Sequence, residues 1–151
     1  MTLEQLFEDF GIACGLSKLR LDGNGCCSLV FDDAYEMTFT YDDEDEALLF
    51  SAPVVNATTN RAPMLRHILE TNYLGLRTRG GTLAIDPERG IYVYWKRHDA
   101  AAFHSANDLK NAVEKFLTEF IRLRNAVDDA ARQGDTMPGK DLPPDAWLLS
   151  V

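Results

Sequence analysis

The three cysteines and three histidines are the side chains in this chain with the widest chemical range. Cys26 and Cys27 are adjacent, Cys14 stands apart, and His67, His98 and His104 fall in separate stretches. A structural zinc site needs paired ligands a few residues apart, closed by a second such pair. Neither pair is present, so no metal centre is expected. A Cys–His nucleophile needs the two groups within hydrogen-bond reach in space, which spacing along the chain neither demands nor denies. Buried structural thiols and surface imidazoles are the simpler expectation. The run Asp42-Asp43-Glu44-Asp45-Glu46 has the charge for calcium. It lacks the alternating oxygen ligands and the distal bidentate glutamate of a calcium loop, and reads as a solvated hairpin loop that could steer a basic segment. Gly80-Gly81 precedes a strand, and Gly23 and Gly25 open no helix, so neither pair cradles phosphate. The side chains point to no catalytic group and no cofactor.

A chain of 151 residues fits one domain, which buries roughly 70% of its unfolded surface without a disulfide or metal staple. With 46% hydrophobic and 26% charged residues it has an ordinary globular composition. No apolar run approaches the ~20 residues of a membrane helix, and Met1 to Gln5 has neither the basic flank nor the apolar core of a signal peptide. The unpatterned cysteines suit a reducing cytoplasm. The net charge of −9 is unevenly placed: residues 1–50 hold 12 acidic and 2 basic side chains, the rest 12 and 13. Such a surface repels phosphate backbones and anionic membranes. It favours a basic or neutral polypeptide partner.

The elements follow from periodicity. Thr2 to Cys14 reads as a helix, with Thr2 and Gln5 spaced as a capping box and Leu3, Leu6, Phe7, Phe10 and Cys14 on one face. Gly15 can end it in the left-handed region. Cys26 to Phe31 and Tyr35 to Tyr41 read as strands joined at Asp32-Asp33-Ala34; in the second, Tyr35, Met37, Phe39 and Tyr41 alternate with polar residues. Ala47 to Val55 is a further strand. A second helix, Met64 to Asn72, has Asn60 as its expected N-cap and Pro63 in its first turn. Thr82 to Asp86 and Ile91 to Trp95 form a hairpin about Pro87-Glu88-Arg89-Gly90. His98 to His104 reads as a linker. A long last helix, capped by Ser105 or Asn107, carries Leu109, Val113, Phe116, Phe120, Leu123 and Val127 on one stripe, broadened by Leu117 and Ile121. The expected architecture is α+β, in the order α-β-β-β-α-β-β-α, with helices covering a twisted antiparallel sheet. Residues 1–132 form the domain, and 133–151 a flexible tail rich in Pro and Gly.

The ordered set of local patterns resembles the class I type III secretion chaperones, the Tir chaperone (CesT-like) family. The resemblance covers Leu3 to Val127. It rests on the opening helix followed by Leu19-Arg20-Leu21-Asp22 and a glycine turn, on Leu29-Val30-Phe31-Asp32, on Leu65-Arg66-His67-Ile68-Leu69-Glu70-Thr71-Asn72, and on Gly81-Thr82-Leu83-Ala84-Ile85-Asp86 with Ile91-Tyr92-Val93-Tyr94. It implies a bacterial cytoplasmic homodimer, not an enzyme, that binds the N-terminal region of a secreted effector in extended form without ATP. The tail after Arg132 has no counterpart in that pattern.

Two surfaces are expected on this basis. Leu49, Val55, Tyr92 and Tyr94 are expected to point opposite to the core set of a one-faced sheet, toward a covering helix or a partner, and exposed apolar surface marks interfaces. A two-fold contact through the second helix and the hairpin would use Met64, Leu65, Ile68, Leu69, Tyr92 and Tyr94. The effector groove would use Leu3, Phe7, Phe10, Leu29, Phe31, Met37 and Leu49, and an extended peptide could also add to a free sheet edge. The rival readings are a regulator of the same fold that sequesters a transcription factor or secretion component, and a small cysteine enzyme.

Overall fold

The computed structural model describes residues 1–56 and 62–136. Thr2 accepts the Gln5 N–H at 3.1 Å and starts helix α1, Leu3–Ala13, and Gly15 follows its end with φ +75°. The strands are β1 (Cys26–Phe31), β2 (Tyr35–Asp42), β3 (Ala47–Asn56), β4 (Thr82–Asp86) and β5 (Ile91–Asp99). Helices α2 (Ala62–Asn72) and α3 (Ala106–Thr136) complete the order, which is the α+β sequence expected. All neighbouring strands are antiparallel, in the order β1-β2-β3-β5-β4.

Turn chemistry sets the local register. Asp32 and Asp33 both take positive φ, 52° and 54°, the left-handed geometry that short acidic side chains tolerate. Phe31 therefore pairs with Tyr35. Asp86 accepts the N–H groups of Glu88 and Arg89 at 2.9 and 3.2 Å, which fixes the turn between β4 and β5.

All three helices contribute to the core on one face of the sheet. Met37 and Phe39 of β2, Leu48, Phe50, Ala52 and Val54 of β3, Leu83 of β4, and Tyr92 and Tyr94 of β5 meet Leu6, Phe7 and Phe10 of α1, Met64 and Ile68 of α2, and α3. The whole expected α3 stripe, Leu109 through Val127, is buried. Aromatic edges lock the layers: Phe39 lies 5.3 Å from Phe7, 6.0 Å from Phe10 and 5.1 Å from Phe50, while Phe116 lies 5.7 Å from Phe50 and stacks on Tyr94 at 5.0 Å.

Three expectations are corrected. Tyr92 and Tyr94 are fully buried in this protomer, and it is Ile91, Val93 and Trp95 that alternate to the other side. The strand is apolar at all five of these positions, so alternation alone leaves its phase undecided; contact with Phe116 and the bond from the Tyr94 hydroxyl to the Thr78 carbonyl at 2.8 Å decide it. His98 and Asp99 belong to β5, because they pair with Leu48 and Ala47, and a single 3-10 turn, Ala100–Ala102, replaces the rest of the linker. Ser105 accepts the Asp108 N–H at 3.2 Å as the α3 cap, and α3 runs past residue 132 to Thr136. The expected cap Asn60 and tail residues 137–151 lie outside the described residues.

Gly81 sits against the Tyr94 ring, and a Cβ there would fall 2.3 Å from it. Gly81→Ala should therefore destabilise the fold by about 1–3 kcal/mol through overpacking. Gly23→Ala, with nothing within 4 Å of the added atom, should be close to neutral. Urea denaturation of the two variants checks this.

Candidate functional site

Three surfaces stand open among the described residues: the outer side of α2, the outer edge of β1, and a groove between β5 and α3. On α2, Met64 and Ile68 turn inward, whereas Leu65 is 37% and Leu69 70% exposed. The apolar surface continues past the helix into Tyr73, Leu74 and Leu76, each above 70% exposed. These three were not among the expected interface residues. Their clustering immediately after Asn72 was the available signal, but the reversal that presents them depends on Leu74 at φ 57° and Gly75 at φ 66°. Arg66 and Glu70 flank the patch and pair with each other at 2.7 Å, which holds the Glu70 carboxyl below its ordinary pKa. Of the six expected interface residues, Leu65 and Leu69 lie on this patch; Met64, Ile68, Tyr92 and Tyr94 are core.

The sheet has two edges, and they differ. On β4, the Asn72 side chain donates to the Leu83 carbonyl and accepts the Leu83 N–H, both at 2.8 Å. The amide thus occupies the middle of that edge as an adjoining strand would. On β1, Asp22 accepts the Cys26 N–H at 2.9 Å and donates its own N–H to the Cys26 carbonyl at 2.8 Å. Cys26 therefore points its backbone groups away from β2. Backbone direction alternates along a strand, so Ser28 and Val30 point theirs outward too, and no backbone group among the described residues meets them. Both residues are exposed, Val30 by 63%. Leu29 and Phe31, between them, are half-buried against the core.

Of the seven expected groove residues, Phe7, Phe10 and Met37 are fully buried and correct to core. Phe7 and Phe10 pack edge-on against Phe39, and Met37 joins them in the interior between α1 and the sheet. Leu3, Leu29, Phe31 and Leu49 remain partly accessible, but not together: Leu49 belongs to the opposite, helix-free face of the sheet, alongside the set of Ser51, Val93 and Trp95. Val30 was missed because a β-branched residue in a strand reads as packing by default.

The third feature is a groove of about 830 Å³ bounded by Tyr94, Lys96 and His98 of β5, Phe103, and the first half of α3. His98 packs on Phe50 at 4.4 Å and Phe103 at 5.7 Å, and its Nε2 has no hydrogen-bond partner. Burial, with Lys96 adding to it, lowers the His98 pKa. Burial likewise pushes the Tyr94 hydroxyl up to about 12. The thiols of Cys14 and Cys27 are raised, chiefly by burial. A raised thiol holds less nucleophilic thiolate at neutral pH. Among the described residues, no cluster of His, Cys, Asp and Glu could hold a metal ion, and no helix is long and apolar enough to cross a membrane.

The acidic loop is tied down by one cation. Arg97 bridges Asp42 at 3.0 Å and Asp45 at 2.6 Å, and that hydrogen bond is the main cause of a lowered Asp42 pKa.

The fold with these surfaces can be set beside known proteins. The chain belongs to the Tir chaperone protein (CesT) family, whose sequence profile matches residues 5–124. Its fold is similar to that in the crystal structure of the ExsC–ExsE complex, with 24% identity, a TM-score of 0.67, and coverage of 82% of this chain and 92% of that one. It is also similar to the HopA1–SchA chaperone–effector complex, at 18% identity and TM-score 0.65, covering 83% of this chain and 92% of that one. A third similar structure is the Yersinia pestis type III secretion chaperone SycH bound to a fragment of YscM2, at 17% identity and TM-score 0.60, covering 81% and 99%. No functionally curated protein is significantly similar in sequence.

Neutral His98 contributes stability that is present above its ordinary pKa of 6.5. Because the folded value is depressed, that contribution is lost as pH falls below 6.5. Urea midpoints should decline over that acid range, and His98→Phe should flatten this part of the decline while keeping the ring contacts.

Proposed function

We propose that the protein is a type III secretion chaperone that holds the N-terminal region of a secreted effector extended and export-competent, by binding alone and without ATP. Family membership supports this reading, and the observation that carries it is the free β1 edge at Ser28 and Val30 beside half-buried Leu29 and Phe31. An added peptide strand gains main-chain hydrogen bonds there, largely independent of its sequence. Further affinity comes from burying apolar effector side chains, at about 25 cal/mol per Å², offset by the entropy of ordering the peptide. A long, wrapped contact meets that requirement better than a compact one. No reacting group is needed, and the protein acts as a binding module, not an enzyme, in the bacterial cytoplasm.

The working unit in this reading is a homodimer joined through the exposed side of α2. Leu65, Leu69, Tyr73, Leu74 and Leu76 supply the apolar centre, and a two-fold axis brings each patch against its own copy. Burying one leucine contributes about 1.5–3 kcal/mol, and symmetry counts it twice. Domain boundaries of 1–132 for the chaperone unit and 133–151 for an appended segment belong to the same proposal, with α3 overrunning the boundary by one turn.

Leu69→Asp should leave the fold intact, since the side chain is 70% exposed, yet give monomers in sedimentation velocity; an unchanged dimer would remove α2 from the interface. Val30→Pro removes one outward N–H without touching the β1–β2 ladder. On coexpression with a cognate effector it should recover far less of the effector's N-terminal segment than the parent. Equal recovery would sink the edge reading.

A further inference from the structure

We infer that the segment added to the β1 edge is cationic, with Lys or Arg just beyond the residue that pairs with Val30. This rests on the strand-addition reading above, and concerns which polypeptides that edge accepts. The edge itself makes the site, and the surrounding charge selects its occupant. A six-residue strand such as β1 spans roughly 20 Å. Asp22 lies at its start, where its carboxylate is engaged by the Cys26 and Asn24 N–H groups. At its far end stand Asp32 and Asp33, exposed and without an ion-pair partner among the described residues. Glu36 faces Val30 directly across the ladder and shares the Arg89 guanidinium only at 3.8 Å.

The cations of residues 1–50, Lys18 and Arg20, precede the Asp22 end of the strand. The Val30 end thus sets three carboxylates against two guanidinium groups, Arg89 paired with Glu36 at 3.8 Å and Arg124 drawn over the Tyr35 ring at 5.7 Å. An added strand that runs past Val30 places its next residues within a Debye length, about 8–10 Å, of those groups. Acidic residues there meet like charge at short range, whereas basic ones gain from the field and are steered to the edge on encounter. The same carboxylates discourage pairing with another copy of β1, whose own Asp32 and Asp33 would be brought into the same field.

The test uses the full-length protein and two labelled peptides of the same alternating Val/Ser pattern, one ending in Lys-Lys and one in Glu-Glu, with binding read by fluorescence anisotropy. The Lys peptide should bind about fivefold tighter at low ionic strength, the sum expected for two exposed charge pairs, and the difference should shrink as salt is raised. Asp32→Asn with Asp33→Asn should erase it, since asparagine tolerates the positive φ at both positions and preserves the turn. Val30→Pro should weaken both peptides. Equal binding of the two peptides, both sensitive to Val30→Pro, would overturn the charge inference and leave strand addition standing. Binding of neither peptide, or binding indifferent to Val30→Pro, would overturn both.

Discussion

The aromatic interlock centred on Phe39 is the contact on which the remaining surfaces depend. Phe7 and Phe10 of α1 meet Phe39 edge-on, Phe39 meets Phe50, and Phe50 meets Phe116 of α3, which stacks on Tyr94. Edge-to-face rings are attractive beyond their area, by about 0.5–1.5 kcal/mol per pair. The chain of rings joins both terminal helices to three strands on one face. Because β2, β3 and β5 commit their large side chains to that face, none of the described helices lies on the other. Leu49, Val93 and Trp95 there lie among Thr38, Thr40 and Ser51, and among the described residues nothing covers that side or the β1 edge at Ser28 and Val30. A chaperone that buried all its own apolar surface would have nothing to offer a client.

Much of this was legible in the residues. The stripe of α3 and the alternation of Tyr35 to Tyr41 each specify a face from local pattern alone, and Thr2, Gly15, Asp32-Asp33 and Gly90 specify ends and turns by their own stereochemistry. Ile91 to Trp95 resisted such reading because apolar residues occupy both phases. Its orientation is set by Phe116, more than twenty positions away, and by the Thr78 carbonyl, which no periodicity reports. His98 and Asp99 read as the start of a linker, yet pairing with Leu48 and Ala47 extends the strand. The site was legible in kind but less so in its members. Met64, Leu65, Ile68 and Leu69 read as one apolar stripe, yet Leu69 is exposed while Met64 and Ile68, which differ from it only in helical phase, are buried. Phe7, Phe10 and Met37 were assigned to a groove for their size, and size is also what draws a side chain into the core.

Charge is sorted as the apolar surface is. Nine of the twelve acidic residues of the first third lie on β2 and the loops flanking β1 and β2, the other three on α1, and Arg97 from β5 reaches across to anchor Asp42 and Asp45. On the other side Arg122 donates to the Arg77 carbonyl and pairs with Glu119 at 3.0 Å, so α3 holds the loop between α2 and β4 in place. Exposed pairs of this type contribute little individually. Their effect is to position loops, and so to keep the α2 patch and the β1 edge on different parts of the molecule.

Asn72 gives the protein a direction of growth. Its carboxamide takes up the outward backbone groups of Leu83 on one border of the sheet, while the opposite border keeps those of Ser28 and Val30 open. A stack of strands needs two live ends to elongate into a fibre. With one border narrowed in this way, a strand added at β1 would find less sheet on the far side from which a stack could grow.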